Sequence, residues 1–179
     1  MEFNYRPEPD PVHIICYGNE WQGDDGFGMH VYRRLHRTPL FRTIPVFEGG
    51  IGGLNTIPYF ENCRRAIIVD GVRSGANAGG LVVLSPHDIA ASERVFTLHN
   101  YGVGQLLACL HLLFDGEPHR PEILFIGAEI GPSGTACTGF GNTLSDPLNR
   151  AAGLAVRVIY HRLRRFISAS PQDLTAVWD

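Results

Sequence analysis

The 179-residue chain contains no lysine, so all fifteen of its basic residues are arginines. Schiff-base catalysis and a Walker-type phosphate site both need a primary amine at a defined position, and both are therefore excluded. The net charge is −3 and the charged residues are scattered, so the chain also lacks the basic surface that nucleic-acid binding requires. We expect no nucleic-acid partner.

Cysteines are few and show no functional spacing. Cys16, Cys63, Cys109 and Cys137 stand far apart in apolar or small-residue settings, and they match no zinc or redox motif. We interpret all four as reduced packing residues. This interpretation is weakest for Cys137, because its glycine-rich loop could expose the thiol.

Long hydrophobic runs are also absent. No segment approaches the roughly twenty apolar residues of a membrane helix, and the start of the chain lacks the apolar core of a secretion signal. The sequence therefore predicts a cytoplasmic protein without membrane contact. Its length suits one domain over residues 12–170, preceded by a flexible, proline-containing arm over residues 1–11 and followed by a tail over residues 171–179.

Short apolar runs alternate with helical patterns along the chain. Strands are predicted at residues 12–17, 43–47, 65–69, 81–84 and 123–126, and helices at 27–35, 54–60, 106–114 and 144–167. This alternation predicts an α/β fold, a three-layer α/β/α sandwich around a twisted, mostly parallel sheet of about five strands. The Gly/Asn-rich turn before residues 81–84 indicates one antiparallel edge strand.

Two adjacent carboxylates, Asp24 and Asp25, lie in a glycine-rich loop between the first strand and the first helix. Ligand sites in open α/β sheets lie beyond such strand ends. The acids could instead cap the helix, since carboxylates in a first turn accept backbone N–H bonds and complement the helix dipole. Adjacent carboxylates repel each other unless they share a cation or a proton, which favours a functional site.

Two more candidate ligands are predicted at the same edge of the sheet. Asp70 follows the third strand, and His99 precedes the helix over residues 106–114. With Asp25 they form a set of two carboxylates and one imidazole, which suits a divalent transition ion with open coordination positions. Spacing alone leaves other interpretations open, because an acid at a strand end can anchor a turn and a histidine before a helix can cap it.

Four segments in this order resemble the endopeptidases that complete the maturation of nickel-iron hydrogenases. They are GNEWQGDDGFG at 18–28, EGGIGGL at 48–54, IIVD at 67–70 and LHNYG at 98–102. The resemblance covers most of the chain, and the shared order and intervals are more specific than any single motif. It assigns metal binding to Asp25, Asp70 and His99, with Asp24 as a supporting acid of the catalytic site or a helix cap.

The resemblance implies an aspartyl endopeptidase that removes a C-terminal peptide from the nickel-loaded precursor of a hydrogenase large subunit. The nickel would come from the substrate, so the isolated protein can be metal-free. It could polarise the scissile carbonyl or orient an attacking water. The precursor is the expected partner of a monomeric protease. Departures from the family pattern, such as Trp21 and Ile51, lie at the rim and bear on which hydrogenase is processed.

Two other functions share part of this pattern. A non-catalytic nickel-binding assembly factor would use the same three ligands without cutting the precursor. A nucleotide-binding protein is disfavoured, because Val31 and Asn55 stand where the last glycine of each candidate phosphate loop should be. A rival histidine motif at residues 85–88 contains His87, but only His99 is followed by Tyr101 and a leucine-rich helix.

Overall fold

The computed structural model describes residues 12–91, 103–114, 121–131 and 140–168, which build one five-stranded sheet in the order β2-β1-β3-β5-β4. The strands are β1 (His13–Tyr17), β2 (Val46–Gly50), β3 (Arg65–Val72), β4 (Leu81–Leu84) and β5 (Glu122–Glu129). All neighbouring strands run parallel except β4, which pairs antiparallel with β5 at the edge. The predicted sheet, including its antiparallel edge strand, is confirmed.

Helices cover both faces of this sheet. They are α1 (Phe27–His36), α2 (Pro86–Ala91), α3 (Val103–Leu113) and α4 (Asp146–Ser168), and short 3-10 helices form at Gly23–Gly26, Pro39–Arg42 and Leu54–Phe60. Alternate side chains of a strand point to opposite faces. Ile14 accordingly packs in a core with α1 and α4, whereas Ile15 packs in a second core with Leu106 of α3. The result is the predicted three-layer α/β/α sandwich.

The bounds of β2, β3 and β5 differ from the predictions, and β5 continues to Glu129, three residues beyond its expected end. β2 starts at Val46, three residues later than expected, and it includes Gly49 and Gly50. Gly49 fits there because a Cβ at this position would lie 2.8 Å from the Tyr17 ring. β3 continues to Val72 because it pairs with β5 along its whole length, so Asp70 lies within the strand and not beyond its end.

Several predictions fall on residues that the structure leaves undescribed. They include the N-terminal arm over residues 1–11, the tail over residues 171–179, His99 and Cys137. Cys16 and Cys63 are buried as reduced thiols and Cys109 is half-buried, in agreement with a packing role. Within the described ranges, no helix combines the length and apolar character needed to cross a bilayer.

Candidate active site at the carboxyl edge of the sheet

Tight glycine packing fixes the loop that carries Asp24 and Asp25. Gly18 has a φ of +148°, and a Cβ there would lie 2.6 Å from the backbone oxygen of Asp25. At Gly28 a Cβ would lie 1.9 Å from the Tyr17 oxygen and 2.7 Å from the Val69 oxygen. Neither position has room for a side chain, and glycine there allows the start of α1 to lie directly against β1 and β3.

Asp24 connects this loop to the start of α4. The backbone N–H of Ser145 donates a 2.7 Å hydrogen bond to Asp24 Oδ1. Ser145 immediately precedes α4, so the negative carboxylate lies at the positive end of the helix dipole. Asp24 therefore stabilises a helix distant in sequence. At the start of α1, the cap residue is Gly26, which provides no side-chain cap.

The second oxygen of Asp24 is buried and makes no hydrogen bond in the part of the chain that the structure describes. The side chain is 1% exposed, and the Ser145 hydroxyl is likewise buried without a hydrogen-bond partner there. A buried carboxylate oxygen without a donor is unfavourable. Asp24 thus retains an acceptor for a water molecule or for a group that enters the site.

Asp70 is a buried acid in the central strand β3. It lies in register with Gly127, is 2% exposed, and accepts a 2.7 Å hydrogen bond from the N–H of Gly71. Burial raises the pKa of the Cys16 thiol, and the negative charge of Asp70 raises it further. The thiol stays protonated, so Cys16 is not a nucleophile of this site.

The same charge acts on Tyr17. Burial and the Asp70 carboxylate raise the pKa of the Tyr17 hydroxyl. Thr56 donates its hydroxyl proton to the Gly53 oxygen at 2.7 Å, so the Tyr17 hydroxyl donates to Thr56 Oγ1 at 2.5 Å. This chain of hydrogen bonds links β1 to the 3-10 helix that follows β2.

The structure brings Asp24, Asp25 and Asp70 to the same edge of the sheet. The 3-10 helix that carries the first two acids contacts β3, and a Cβ on Gly71 would lie 3.9 Å from the Asp24 backbone oxygen. Asp25 is 7% exposed. Within the described ranges, no three His, Cys, Asp or Glu residues are grouped so as to hold a metal ion. The proposed third ligand, His99, lies outside those ranges.

Glu129 is a buried acid at this edge that the sequence analysis missed. It ends β5 and is 2% exposed. One carboxylate oxygen accepts hydrogen bonds from the backbone N–H and hydroxyl of Ser74 at 2.7 and 2.6 Å, and the other accepts from the Gly131 N–H at 3.2 Å. Because both oxygens have donors, Glu129 holds the turn after β3. Its position at the end of an apolar run was the available sequence signal.

The rival histidine motif around His87 is a helix start. The N–H and hydroxyl of Ser85 each donate to Asp88 Oδ2 at 2.7 Å, and the Asp88 N–H donates to Ser85 Oγ at 3.2 Å. This reciprocal pattern is a capping box. Ser85 and Asp88 line a cavity together with Pro121 and Glu122, at the start of β5. The motif therefore lies at the edge of the sheet opposite to the acids.

A segment before α4 closes the site on the side of α1. The Gly23 N–H donates to the Gly141 oxygen at 2.8 Å, and the Gly141 N–H donates to the Trp21 oxygen at 3.0 Å. His30 Nε2 donates to the Asn142 oxygen at 3.0 Å. Burial lowers the pKa of His30, although this hydrogen bond opposes the shift. No sequence motif indicated this segment.

Comparison with protein families gives a match over most of the chain. A family model described as hydrogenase maturation protease matches residues 29–159, a range that includes Asp70 and His99 and starts after Asp24 and Asp25. The hydrogenase 3 maturation protease of Escherichia coli K12 is 29% identical over 152 residues, which are 84% of this chain and 86% of that protein.

A second relative matches over a shorter stretch. The hydrogenase expression/formation protein HupD of Rhodobacter capsulatus is 28% identical over 109 residues, which are 59% of this chain. The matched stretch covers about half of this relative's length, 52%.

Solved structures show the same fold. The solution structure of the endopeptidase HycI from Escherichia coli superimposes with a TM-score of 0.63 at 26% identity, over 88% of this chain and 92% of that one. The [NiFe] hydrogenase maturation protease HybD from Thermococcus kodakarensis gives a TM-score of 0.68 at 24% identity, over 84% of this chain and 97% of that one. At 24% identity, the similarity to HybD concerns the fold alone.

Proposed function

Because the chain belongs to the hydrogenase maturation protease family, we propose that it is the endopeptidase that removes a C-terminal peptide from the nickel-loaded precursor of a nickel-iron hydrogenase large subunit. The observation that carries this proposal is the placement of the buried acids Asp24, Asp25 and Asp70 at the carboxyl edge of the sheet. In open α/β folds this edge is where ligands bind.

Nickel belongs to the substrate in this proposal. Asp25, Asp70 and His99 would each donate one side chain to the ion. Two carboxylates and one imidazole suit nickel, and the lack of a thiolate suits a site that holds the ion only while the precursor is bound. The bound ion would supply Lewis-acid polarisation of the scissile carbonyl or orientation of a water molecule.

The chain's own residues supply positioning and proton transfer. Asp24, bonded to the start of α4, keeps the loop of Asp25 against β3. A carboxylate of the Asp25/Asp70 pair takes a proton from the attacking water, and the departing amine of the C-terminal peptide receives that proton. Water addition breaks one peptide bond and leaves a shortened large subunit and a free peptide.

The test uses purified metal-free protease with two forms of the precursor, one nickel-loaded and one nickel-free. The nickel-loaded precursor should be shortened and the nickel-free precursor should keep its length, as measured by intact-protein mass spectrometry. Equal trimming of both forms would contradict the role of substrate nickel. If the chain binds the nickel-loaded precursor without shortening it, the non-catalytic assembly factor is the correct function.

A further inference from the structure

Four large apolar side chains are exposed near the acids, three on loops and one at the start of the 3-10 helix Leu54–Phe60. They are Trp21, Ile51, Leu54 and Phe140, with exposed fractions of 56%, 63%, 40% and 95%. We call this set the apolar rim. Trp21 follows β1, Ile51 and Leu54 follow β2, and Phe140 lies on the segment that leads into α4. All four therefore lie beyond the carboxyl ends of parallel strands or at the start of the helix beside them.

Backbone hydrogen bonds join these loops into one surface. The Gly141 N–H donates to the Trp21 oxygen at 3.0 Å, which holds Phe140 and Trp21 on adjacent stretches of chain. The Gly18 N–H donates to the Gly50 oxygen at 2.8 Å, which joins the first loop to the end of β2, just before Ile51. The positions of the rim residues are therefore coupled to one another and to the loop that holds the acids.

The first loop buries two acids on one side and exposes an aromatic side chain on the other. Asp24 and Asp25 are buried at 1% and 7% exposure, whereas Trp21 projects outward only three residues earlier. The four rim side chains belong to neither hydrophobic core, so packing within the protein does not account for them. Apolar side chains gathered beside a site on loops are typical of a surface that contacts another protein.

We propose that the apolar rim is the docking surface for the folded body of the large-subunit precursor, and this inference rests on the proposed protease function. The acids lie below the surface, so only an extended segment such as the C-terminal tail can reach them. The part of the precursor from which the tail emerges must then cover the surrounding loops. A second copy of the chain on the same surface would block entry of the tail.

The test compares two double variants of similar chemistry. Trp21→Ala with Phe140→Ala removes the aromatic part of the rim. Leu112→Ala with Leu154→Ala removes two exposed leucines, at 77% and 47% exposure, from the helices α3 and α4. For binding, every protein also carries Asp25→Asn, so that the precursor is not consumed, and the Kd for nickel-loaded precursor is measured by calorimetry.

The rim variant should bind the precursor at least about tenfold more weakly, since aromatic residues dominate interface energetics. The leucine variant should stay within about twofold of the parent. With Asp25 intact, the rim variant should show a raised KM with kcat within about twofold. Phe140→Ala alone serves if the double variant unfolds, because a side chain that is 95% exposed contributes little to folding.

Equal affinities of the rim and leucine variants would overturn the docking surface, even if the wild-type protein trims the precursor. A dimer in sedimentation that the rim variant converts to a monomer, with unchanged precursor affinity, would assign the surface to a second copy and also overturn the proposal. Loss of affinity in the rim variant together with a wild-type protein that never shortens the precursor would support the docking surface and refute the proposed protease function.

Discussion

Asp24 and Ser145 are 121 residues apart in sequence and joined by a 2.7 Å hydrogen bond from the Ser145 N–H to the Asp24 carboxylate. The bond connects the loop of the proposed catalytic acids to the first turn of the longest described helix, the 23-residue α4. An acid that is adjacent to Asp25 in sequence thus has a defined structural partner of its own. The two neighbouring carboxylates are therefore expected to respond differently to substitution.

Replacement of Asp24 by alanine should destabilise the fold and weaken processing together. Loss of a carboxylate at a helix N-terminus costs about 1 kcal/mol, and the loop of Asp25 loses its attachment to α4. Urea unfolding should show the first effect and precursor trimming the second. Ser145→Ala is the matched control, because it keeps the backbone N–H. If Asp24→Ala unfolds like the wild type, the bond does not hold the loop.

Replacement of Asp25 or Asp70 by asparagine should abolish processing while the fold persists. Each change keeps the side-chain shape and removes the negative charge that the proposed chemistry needs. Precursor length and the thermal midpoint Tm are the measurements. Glu129→Gln is the contrasting variant, since one amide group cannot accept all three hydrogen bonds of the carboxylate. It should lose about 1–3 kcal/mol of stability, whereas its folded fraction keeps measurable activity.

Replacement of His99 by alanine should abolish processing, and His87→Ala should not. His87 lies in the exposed capping segment of α2, at the edge opposite to the acids. The same trimming assay separates the two histidines, and circular dichroism checks that both variants are folded. Loss of activity in His87→Ala alone would refute the assignment of His99 to the site.

Stability should fall at high pH, partly through Tyr17. Its pKa is raised in the folded state, chiefly by burial, so the unfolded chain releases the phenolic proton first. The stabilising contribution of the protonated Tyr17 hydroxyl is therefore complete below about pH 10, the ordinary tyrosine pKa. It is lost as the pH rises through the pKa of the folded state. The free energy of unfolding of Tyr17→Phe should decline less steeply between about pH 9.5 and 11. Parallel curves for the two proteins would contradict this effect.

The alternation of apolar runs and helical patterns sufficed to predict the layers and the antiparallel edge strand. The end of β2 was wrong because glycine has little intrinsic strand preference: Gly49 depends on packing against Tyr17, and Gly50, with a φ of +53°, depends on pairing with β1. The placement of Asp70 within β3 likewise depends on β5, which supplies its pairing partner from more than fifty residues away.

The candidate site also depends partly on contacts between residues distant in sequence. The sequence predicted that Asp25 and Asp70 share an edge, because parallel strands end together. It could not predict the contact of Asp24 with Ser145, or the two-sided bonding of Glu129 with Ser74 and Gly131, since each depends on where distant loops meet. The assignment of His99 remains a prediction.

The hydrogen bonds between the first loop and residues 141–145 have a consequence for the order of synthesis. A nascent chain that has emerged only as far as β5 already contains Asp24, Asp25 and Asp70, but not Gly141 or Ser145, to which the first loop is bonded. Contacts of such long sequence separation form late. The acid loop therefore reaches its final arrangement only after residues 141–145 have been synthesised, and a truncated product that lacks them carries the acids without this support.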